Sequence, residues 1–352
     1  MQPEQNQTRS FKIEQSIGQL EQYSSELHPS LPANDEKFKT FSLRPLRIDF
    51  EIFAGAIQKI ASVHRKARFN DYGGGLLIAG PTGSGKSSAL SYYESHFPAF
   101  DDVEGKKIPV LYVQTPSGPT VKNLAEAILS AMGDPASCKG TSEEKTRRIY
   151  KFFIDCEVEL LLIDEFQHFA EVNRRGATRD VTDWLKNLFN VTRVGVVLSG
   201  LPICEQTVAF NPQLARRFSA RHHMLGFSYL TQAKQLEFRG VLQSLQSEIP
   251  IGGICIHDDP FARRMFVATY GLIDYVISIL EEVCDIARRT RATTLTLTMF
   301  SQAFKYSIWA LCPDELDPFT EVFQGKRPLD QPGEPFEKVG LAQVNIRKKA
   351  KR

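Results

Sequence analysis

Cysteine is sparse in this sequence, long apolar runs are missing, and charge of one sign hardly exceeds the other. The 352 residues contain six cysteines, Cys138, Cys156, Cys204, Cys255, Cys284 and Cys312, widely spaced and with no CxxC pair. The seven histidines form no spaced ligand set with them, so a disulfide framework and a zinc site are not expected and the thiols read as reduced. No run approaches the roughly 18 consecutive apolar residues that a membrane helix requires. The opening stretch MQPEQNQTRSFKIEQS lacks the basic-then-apolar order of a signal peptide. A cytoplasmic protein with no membrane partner is expected. A formal charge of +2 leaves overall electrostatics silent about nucleic acid, so that case rests on local clusters. No internal repeat is visible.

What is present is enough for a sizeable core, since 42% of the residues are hydrophobic and the length suits one large or two ordinary domains. Residues 1–45 are polar with scattered prolines and read as an extension that orders against a partner or a neighbouring domain. From Asp49 onward, Ile52, Phe53, Ala56, Ile57, Ile60 and Val63 recur at helical spacing. Four short apolar runs follow, at 75–80, 108–115, 158–165 and 194–200, each separated from the next by enough chain for a crossover helix. Near-continuous apolar runs are what a parallel sheet covered on both faces demands. Helical spacing in TVKNLAEAILSAM fills one gap, and TSEEKTRRIYKFFIDC opens with Thr141 three residues before Glu144, the arrangement of a capping box. A fifth strand is expected within 222–227, which closes an α/β core over 46–228. Four helical segments then suggest a small domain over 229–312, and prolines from Pro313 onward mark a loop-rich tail over 313–352. Its end, RKKAKR, carries Arg347, Lys348, Lys349, Lys351 and Arg352 and reads as solvated because like charges resist packing.

The chemistry concentrates in three places. GPTGSGKSS supplies Gly80, Pro81, Thr82, Gly83, Ser84, Gly85, Lys86, Ser87 and Ser88 in the pattern GxxxxGK[ST], directly after a strand and before a helix. Such a loop turns backbone N–H groups toward phosphate oxygens, adds a cation through Lys86 at the β and γ phosphates of ATP, and offers the Ser87 hydroxyl to Mg²⁺. LLLIDEFQHF at 160–169 ends a buried strand in two carboxylates. A buried carboxylate needs a partner, and Asp164 is placed to hold the Mg²⁺ while Glu165 can polarise an attacking water. Ser199, at the end of the next strand, would share that sheet edge and could touch the γ-phosphate. NPQLARRFSARHH then presents Arg216, Arg217 and Arg221. In a ring or filament an arginine here can reach a neighbour's γ-phosphate; in a monomer it is a solvated basic face.

Taken together, the phosphate loop, LLLIDEFQHF, the VLSGLP turn and NPQLARRF resemble the TnsC/TniB group of AAA+ transposition regulators, including those of CRISPR-associated transposons. The resemblance covers about residues 46–310. It implies an AAA+ core with a helical lid, ATP hydrolysis, assembly into a ring or helical homo-oligomer on duplex DNA, and a link between a TniQ/TnsD-type targeting protein and the transposase, TnsB with TnsA as a further candidate. It also implies an arginine finger at Arg217, with Arg216 next to it. One departure stands out: where many AAA+ lids carry a sensor arginine, YGLIDYVI offers Gly271 and Asp274, leaving Arg263 or Arg264 as the available substitutes. DNA contacts are expected from Thr115, Thr120 and Lys122 after the second apolar run and from Arg174, Arg175 and Arg179 in a glycine-containing loop after the paired carboxylates. Two other readings remain open, an AAA+ helicase loader or initiator and a P-loop kinase of a small molecule. Glu165 and the arginine pair argue against the kinase.

Overall fold

The computed structural model describes residues 41–46, 50–69, 74–171, 175–325, 327–337 and 339, with backbone alone at 171 and 175–177. Most of the polar extension, Asp49, Arg174 and the RKKAKR terminus therefore lie outside the described residues. The chain divides into two units, Met1–Pro45 and Leu46–Arg352. Of the first, 41–45 form an irregular stretch closing in a turn.

The second unit contains, in chain order, α1 (Glu51–Phe69), β1 (Gly75–Ala79), α2 (Lys86–Ser95), β2 (Phe100–Asp102), β3 (Gly105–Lys107), β4 (Val110–Gln114), α3 (Val121–Ala131), α4 (Ser142–Asp155), β5 (Leu160–Asp164) and α5 (His168–Glu171). There follow α6 (Arg175–Thr192), β6 (Gly195–Gly200), α7 (Cys204–Ala209), α8 (Pro212–Arg217), β7 (Ala220–His223), α9 (Gln232–Glu248), α10 (Asp259–Thr269), α11 (Ile273–Thr290) and α12 (Leu297–Ser307). Five strands form one parallel sheet in the order β4-β5-β6-β1-β7.

Alternate residues of each strand face opposite layers, which explains the apolar runs. Leu77, Leu111, Leu161, Ile163, Val196 and Leu198 point into a core shared with Leu124, Ile149 and Leu185 of α3, α4 and α6. Leu76, Ile78, Leu160, Leu162 and Val197 point the other way, onto Ile60 of α1 and Leu90 of α2. Each such side chain contributes about 1.5–3 kcal/mol when fully buried. The capping box at α4 forms as expected, with Thr141 Oγ1 accepting from the Glu144 N–H and the Glu144 carboxylate accepting from the Thr141 N–H.

Three expectations change. The segment read as a loop after the paired carboxylates is the long helix α6, because Val181, Trp184, Leu185, Leu188 and Phe189 recur at helical spacing and are all buried; that periodicity outweighs Gly176. The fifth strand occupies Ala220–His223, ahead of 222–227. Beyond it Met224 N–H still donates to the Ala79 carbonyl, but Phe227 N–H turns to the carbonyl of Gly271, so the chain leaves the sheet for the helical layer. The β2–β3 hairpin was not expected at all; its strands are three residues each.

Helices α9 to α12 form the lid. Val276, Ile279, Leu280 and Val283 of α11 are buried, as are Phe300 and Phe304 of α12. Between α12 and 336 the described residues form turns and bends with no helix or strand, yet this segment is fastened to the lid. Phe319 packs on Phe300 with ring centroids 5.4 Å apart, and Phe336 packs on Tyr270 at 5.6 Å and Tyr275 at 5.5 Å. Arg263 donates to the Gly325 carbonyl at 2.7 Å, while Arg264 donates to the carbonyls of Pro318 and Thr320. Both arginines thus hold this strap. Among the described residues, no helix is long and apolar enough to cross a membrane.

Candidate functional site

In a parallel sheet, ligands gather beyond the carboxyl ends of the strands, and three adjacent strands here end side by side. Ile78 pairs with Ser199 and Ala79 with Gly200 between β1 and β6, while Ile163 pairs with Leu198 between β5 and β6. Gly80 N–H donates to the Gly200 carbonyl at 3.1 Å and Phe166 N–H to the Ser199 carbonyl at 2.9 Å. The sheet therefore brings the glycine loop, the paired carboxylates and Ser199 together at one edge.

The loop has the conformation that phosphate binding needs. Gly83 and Gly85 have φ of 77° and 88°, left-handed values that a side chain would strain. At Gly80 a Cβ would lie 2.1 Å from the Met224 carbonyl oxygen, so no other residue fits. Gly85 caps α2 without any side-chain bond, leaving the helix's first N–H groups for an anion. Lys86 is buried and donates to the Pro81 carbonyl at 2.8 Å. Burial lowers its pKa below the ordinary lysine value, against the pull of Asp164 and Glu165. Thr82, Ser87 and Ser88 are exposed along the loop and the first turn of α2, whereas Ser84 is buried with its hydroxyl oxygen unpartnered. Ser199 and Thr115 also carry buried hydroxyl oxygens without partners. Orphaned oxygens beside a bare helix N-terminus and a buried lysine fit a bound triphosphate.

Asp164 is 1% exposed, and both its oxygens are engaged: Oδ1 accepts from the Glu165 N–H at 2.9 Å and Oδ2 from the Tyr112 hydroxyl at 3.1 Å. Burial, reinforced by the charge of Asp164, pushes the Tyr112 phenol far above its usual pKa. Glu165 adopts φ 54°, uncommon for a residue other than glycine and a form of strain that collects at functional sites. Its Oε2 accepts from the Gln167 amide.

Opposite the loop stands the lid. Asp274 N–H donates to the Gly83 carbonyl at 3.1 Å, and a Cβ on Gly83 would be 3.1 Å from the Tyr275 ring. The arginine pair lies elsewhere, at the end of α8. Arg217 donates to Asn190 Oδ1 at 2.5 Å and sits 5.1 Å from the Phe189 ring, and Arg216 is exposed. Asn211 caps α8, accepting from the N–H groups of Gln213 and Leu214, and Pro212 opens it.

Of the residues expected at DNA, three are exposed and belong to two helices, α3 and α6. Thr120 caps α3 by accepting from the Asn123 N–H, with exposed Lys122 beside it. Arg179 is 75% exposed on α6, 3.9 Å from Asp183. Thr115 is withdrawn from the surface at 2% exposure, so it faces the sheet edge and not a duplex. Arg174 and the Arg175 side chain lie outside the described residues. Sequence reasoning missed Tyr112, Gln167, Asn190 and Tyr275. Only Gln167 had a signal, its place inside the DEFQH run.

Solved structures share this fold. The Aeropyrum pernix ORC2 protein in its ADPNP-ADP complexes is 14% identical, over 77% of this chain and 70% of that one, with a TM-score of 0.55. Cdc6p from Pyrobaculum aerophilum is 11% identical over 93% and 89%, with a TM-score of 0.56. The Aeropyrum pernix ORC1 protein in complex with DNA is 17% identical over 72% and 65%, with a TM-score of 0.53. At such identities the likeness is one of fold. A search of curated proteins finds no match. The parallel sheet with the helices beside it is the fold these proteins share with the chain. A family model described as bacterial TniB protein matches residues 45–225, just over half of the sequence. The chain belongs to the TniB family and is an ATPase.

Proposed function

We propose that this ATPase assembles with copies of itself on duplex DNA when ATP is bound, and passes a target choice made by a TniQ/TnsD-type protein to the transposase subunits TnsB and TnsA. Hydrolysis then ends the assembly. The observation that carries this reading is the stance of the arginine pair: Arg217 is braced by Asn190 and Phe189 of its own chain, and Arg216, beside it at the end of α8, is exposed. Arginines so held suit a γ-phosphate on the next subunit. Membership of the TniB family supports the tie to transposition. The fold relative solved in complex with DNA supports a duplex partner.

In this reading residues 46–228 bind nucleotide and 229–312 act as the lid. Lys86 and the N–H groups of residues 83–87 would hold the β and γ phosphates, Ser87 and Asp164 would hold Mg²⁺, and Ser199 would face the γ-phosphate. The metal, when bound, would neutralise charge on the phosphates as the anhydride of ATP is cleaved. Tyr112 orients Asp164, and Glu165 takes the proton of the attacking water. Lys122, Arg179 and their neighbours meet DNA phosphates, contacts that fix position without reading sequence.

The test is electron microscopy of the protein with and without duplex DNA and ATP, paired with hydrolysis rates in the same samples. Ordered, DNA-dependent assemblies with raised turnover are expected. A monomer indifferent to DNA would overturn the proposal.

A further inference from the structure

The turn between α9 and α10 gathers three metal-ligating side chains within four residues of chain. Cys255, His257 and Asp258 offer a sulfur, an imidazole nitrogen and a carboxylate oxygen, and these atoms all lie within 4.8 Å of one another. The group is neither a CxxC pair nor a spaced histidine set, so sequence spacing does not reveal it. The backbone that carries it is held from several sides. Gln246 of α9 donates through Nε2 to the Ile254 carbonyl at 3.2 Å and accepts at Oε1 from the Ile256 N–H at 2.9 Å. Arg239 donates to the His257 carbonyl at 2.7 Å, and the Gly252 carbonyl accepts from the Leu295 N–H at 2.9 Å.

Those bonds also decide which ring nitrogen can bind a metal. Two backbone groups fix the Gln246 amide, since a carbonyl needs its NH₂ end and an N–H needs its oxygen. His257 Nδ1 lies 2.9 Å from that same oxygen. The oxygen can only accept, so Nδ1 carries the proton and Nε2 carries the lone pair. A ligating histidine is ordinarily oriented in this way, by a hydrogen bond from its other nitrogen. Cys255 Sγ is 3.5 Å from each ring nitrogen. Zinc bonds of about 2.3 Å to sulfur and about 2.0–2.1 Å to nitrogen, at a tetrahedral angle, set those two ligand atoms about 3.5 Å apart. Asp258 stands at the N-cap of α10, yet its side chain makes no cap bond, the common use of a carboxylate there.

We propose that Cys255, His257 and Asp258 bind a zinc ion, with water in the fourth position, and that the ion staples the turn to the start of α10. A thiolate beside an imidazole and a carboxylate selects zinc over magnesium, which takes oxygen ligands. On binding, the Cys255 thiol gives its proton to solvent and the sulfur coordinates as thiolate. Cys255 and His257 are half-buried and Asp258 is exposed, so the open side admits the ion and its water. Gln246 and Arg239 carry the constraint back to α9, and α10 bears the two arginines that hold the strap. The staple thus stiffens the lid, whether or not the protein assembles on DNA.

The experiment uses the full chain, stripped with a chelator and titrated with Zn²⁺ against a chromophoric zinc indicator in the absence of nucleotide. One tight equivalent per chain is expected in the wild-type protein. Co²⁺ in its place should show the visible bands of a tetrahedral ion and a thiolate charge-transfer band in the near ultraviolet. Cys255→Ser should lose both the tight equivalent and the thiolate band. Cys138→Ser, which alters an exposed thiol elsewhere, should keep both. Asp258→Asn preserves shape and the ability to cap α10, and should weaken zinc binding at least about tenfold, the lower end for losing a partner one shell further out. Added Zn²⁺ should raise the unfolding midpoint of the wild-type protein by mass action and leave that of Cys255→Ser unmoved. A wild-type protein without a tight equivalent, or the same equivalent and the same thiolate band in Cys255→Ser, overturns the site. If Cys255→Ser fails to fold, Asp258→Asn decides, and an unchanged zinc affinity in that variant overturns the site as well.

Discussion

Around the glycine loop, segments more than a hundred residues apart meet at the ends of three neighbouring strands, and the polar side chains there are braced, buried or left with an oxygen facing inward. At the start of α3 and along α6 the picture is different: Thr120 and Lys122 stand exposed on α3 and Arg179 on α6, and the cap made by Thr120 serves its own helix. The two regions are asked for different things. Phosphates bound in a cradle need backbone N–H groups at fixed positions, and fixed positions need glycines, a strand before and a helix after. A duplex backbone needs positive charge within reach and tolerates many arrangements of it. Substitutions on the first side should therefore act sharply and separately, and those on the second weakly and additively.

The largest expected effect is that of Glu165→Gln. Hydrolysis should fall by up to roughly 10⁴-fold with ATP still bound, and assemblies on DNA should outlive wild-type ones when free protein is washed away, as followed by single-molecule fluorescence. Equal lifetimes with hydrolysis blocked would separate turnover from release. Next comes Arg217→Ala, for which turnover of the assembled form should drop about 10³-fold while the isolated subunit binds ATP as before. If Arg216→Ala causes that loss and Arg217→Ala does not, the exposed arginine is the one that crosses, and Arg217 is its brace through Asn190. Lys86→Ala should weaken nucleotide binding by about a hundredfold, measured with a fluorescent ATP analogue, and abolish assembly with it. Ordered assembly by this variant without nucleotide would break the contrast at its root.

On the diffuse side, Lys122→Ala and Arg179→Ala should each lower DNA affinity only a few-fold and flatten the dependence of log K on log salt by about one unit per contact. A large loss from either alone would show that DNA affinity is focused on one contact. Thr120→Ala should be the smallest, a cost of about 1 kcal/mol through the lost helix cap, read as a lower unfolding midpoint. Weaker DNA binding with no change in the midpoint would make Thr120 a DNA contact.

The parallel sheet, the phosphate loop, Asp164 and Glu165, the capping box and all four lid helices were legible in the sequence, because each rests on local spacing. Helix α6 was legible as well, in the period of Val181, Trp184, Leu185 and Leu188, but Gly176 and the surrounding arginines drew the reading toward a loop. What no local spacing could carry is contact between distant segments. That Arg263 and Arg264 hold carbonyls 54 to 62 residues further on, or that Tyr112 meets Asp164, depends on the closed fold. Thr115 failed for a related reason: the residue after a strand is polar in sequence whether it faces solvent or lies under a neighbouring turn.

The strap beyond α12 bears on how this protein should be handled at the bench. A natural place to trim an expressed fragment is the end of the last helix, near 312. Phe319 and Phe336, both nearly inaccessible, would be lost by that cut, and Phe261, Phe300, Tyr270 and Tyr275 would each lose an aromatic neighbour. Newly bared aromatic rings favour aggregation. A fragment meant to stay in solution should instead run through Glu337, and a shortened version that precipitates would report the missing strap before it reported anything about the helices.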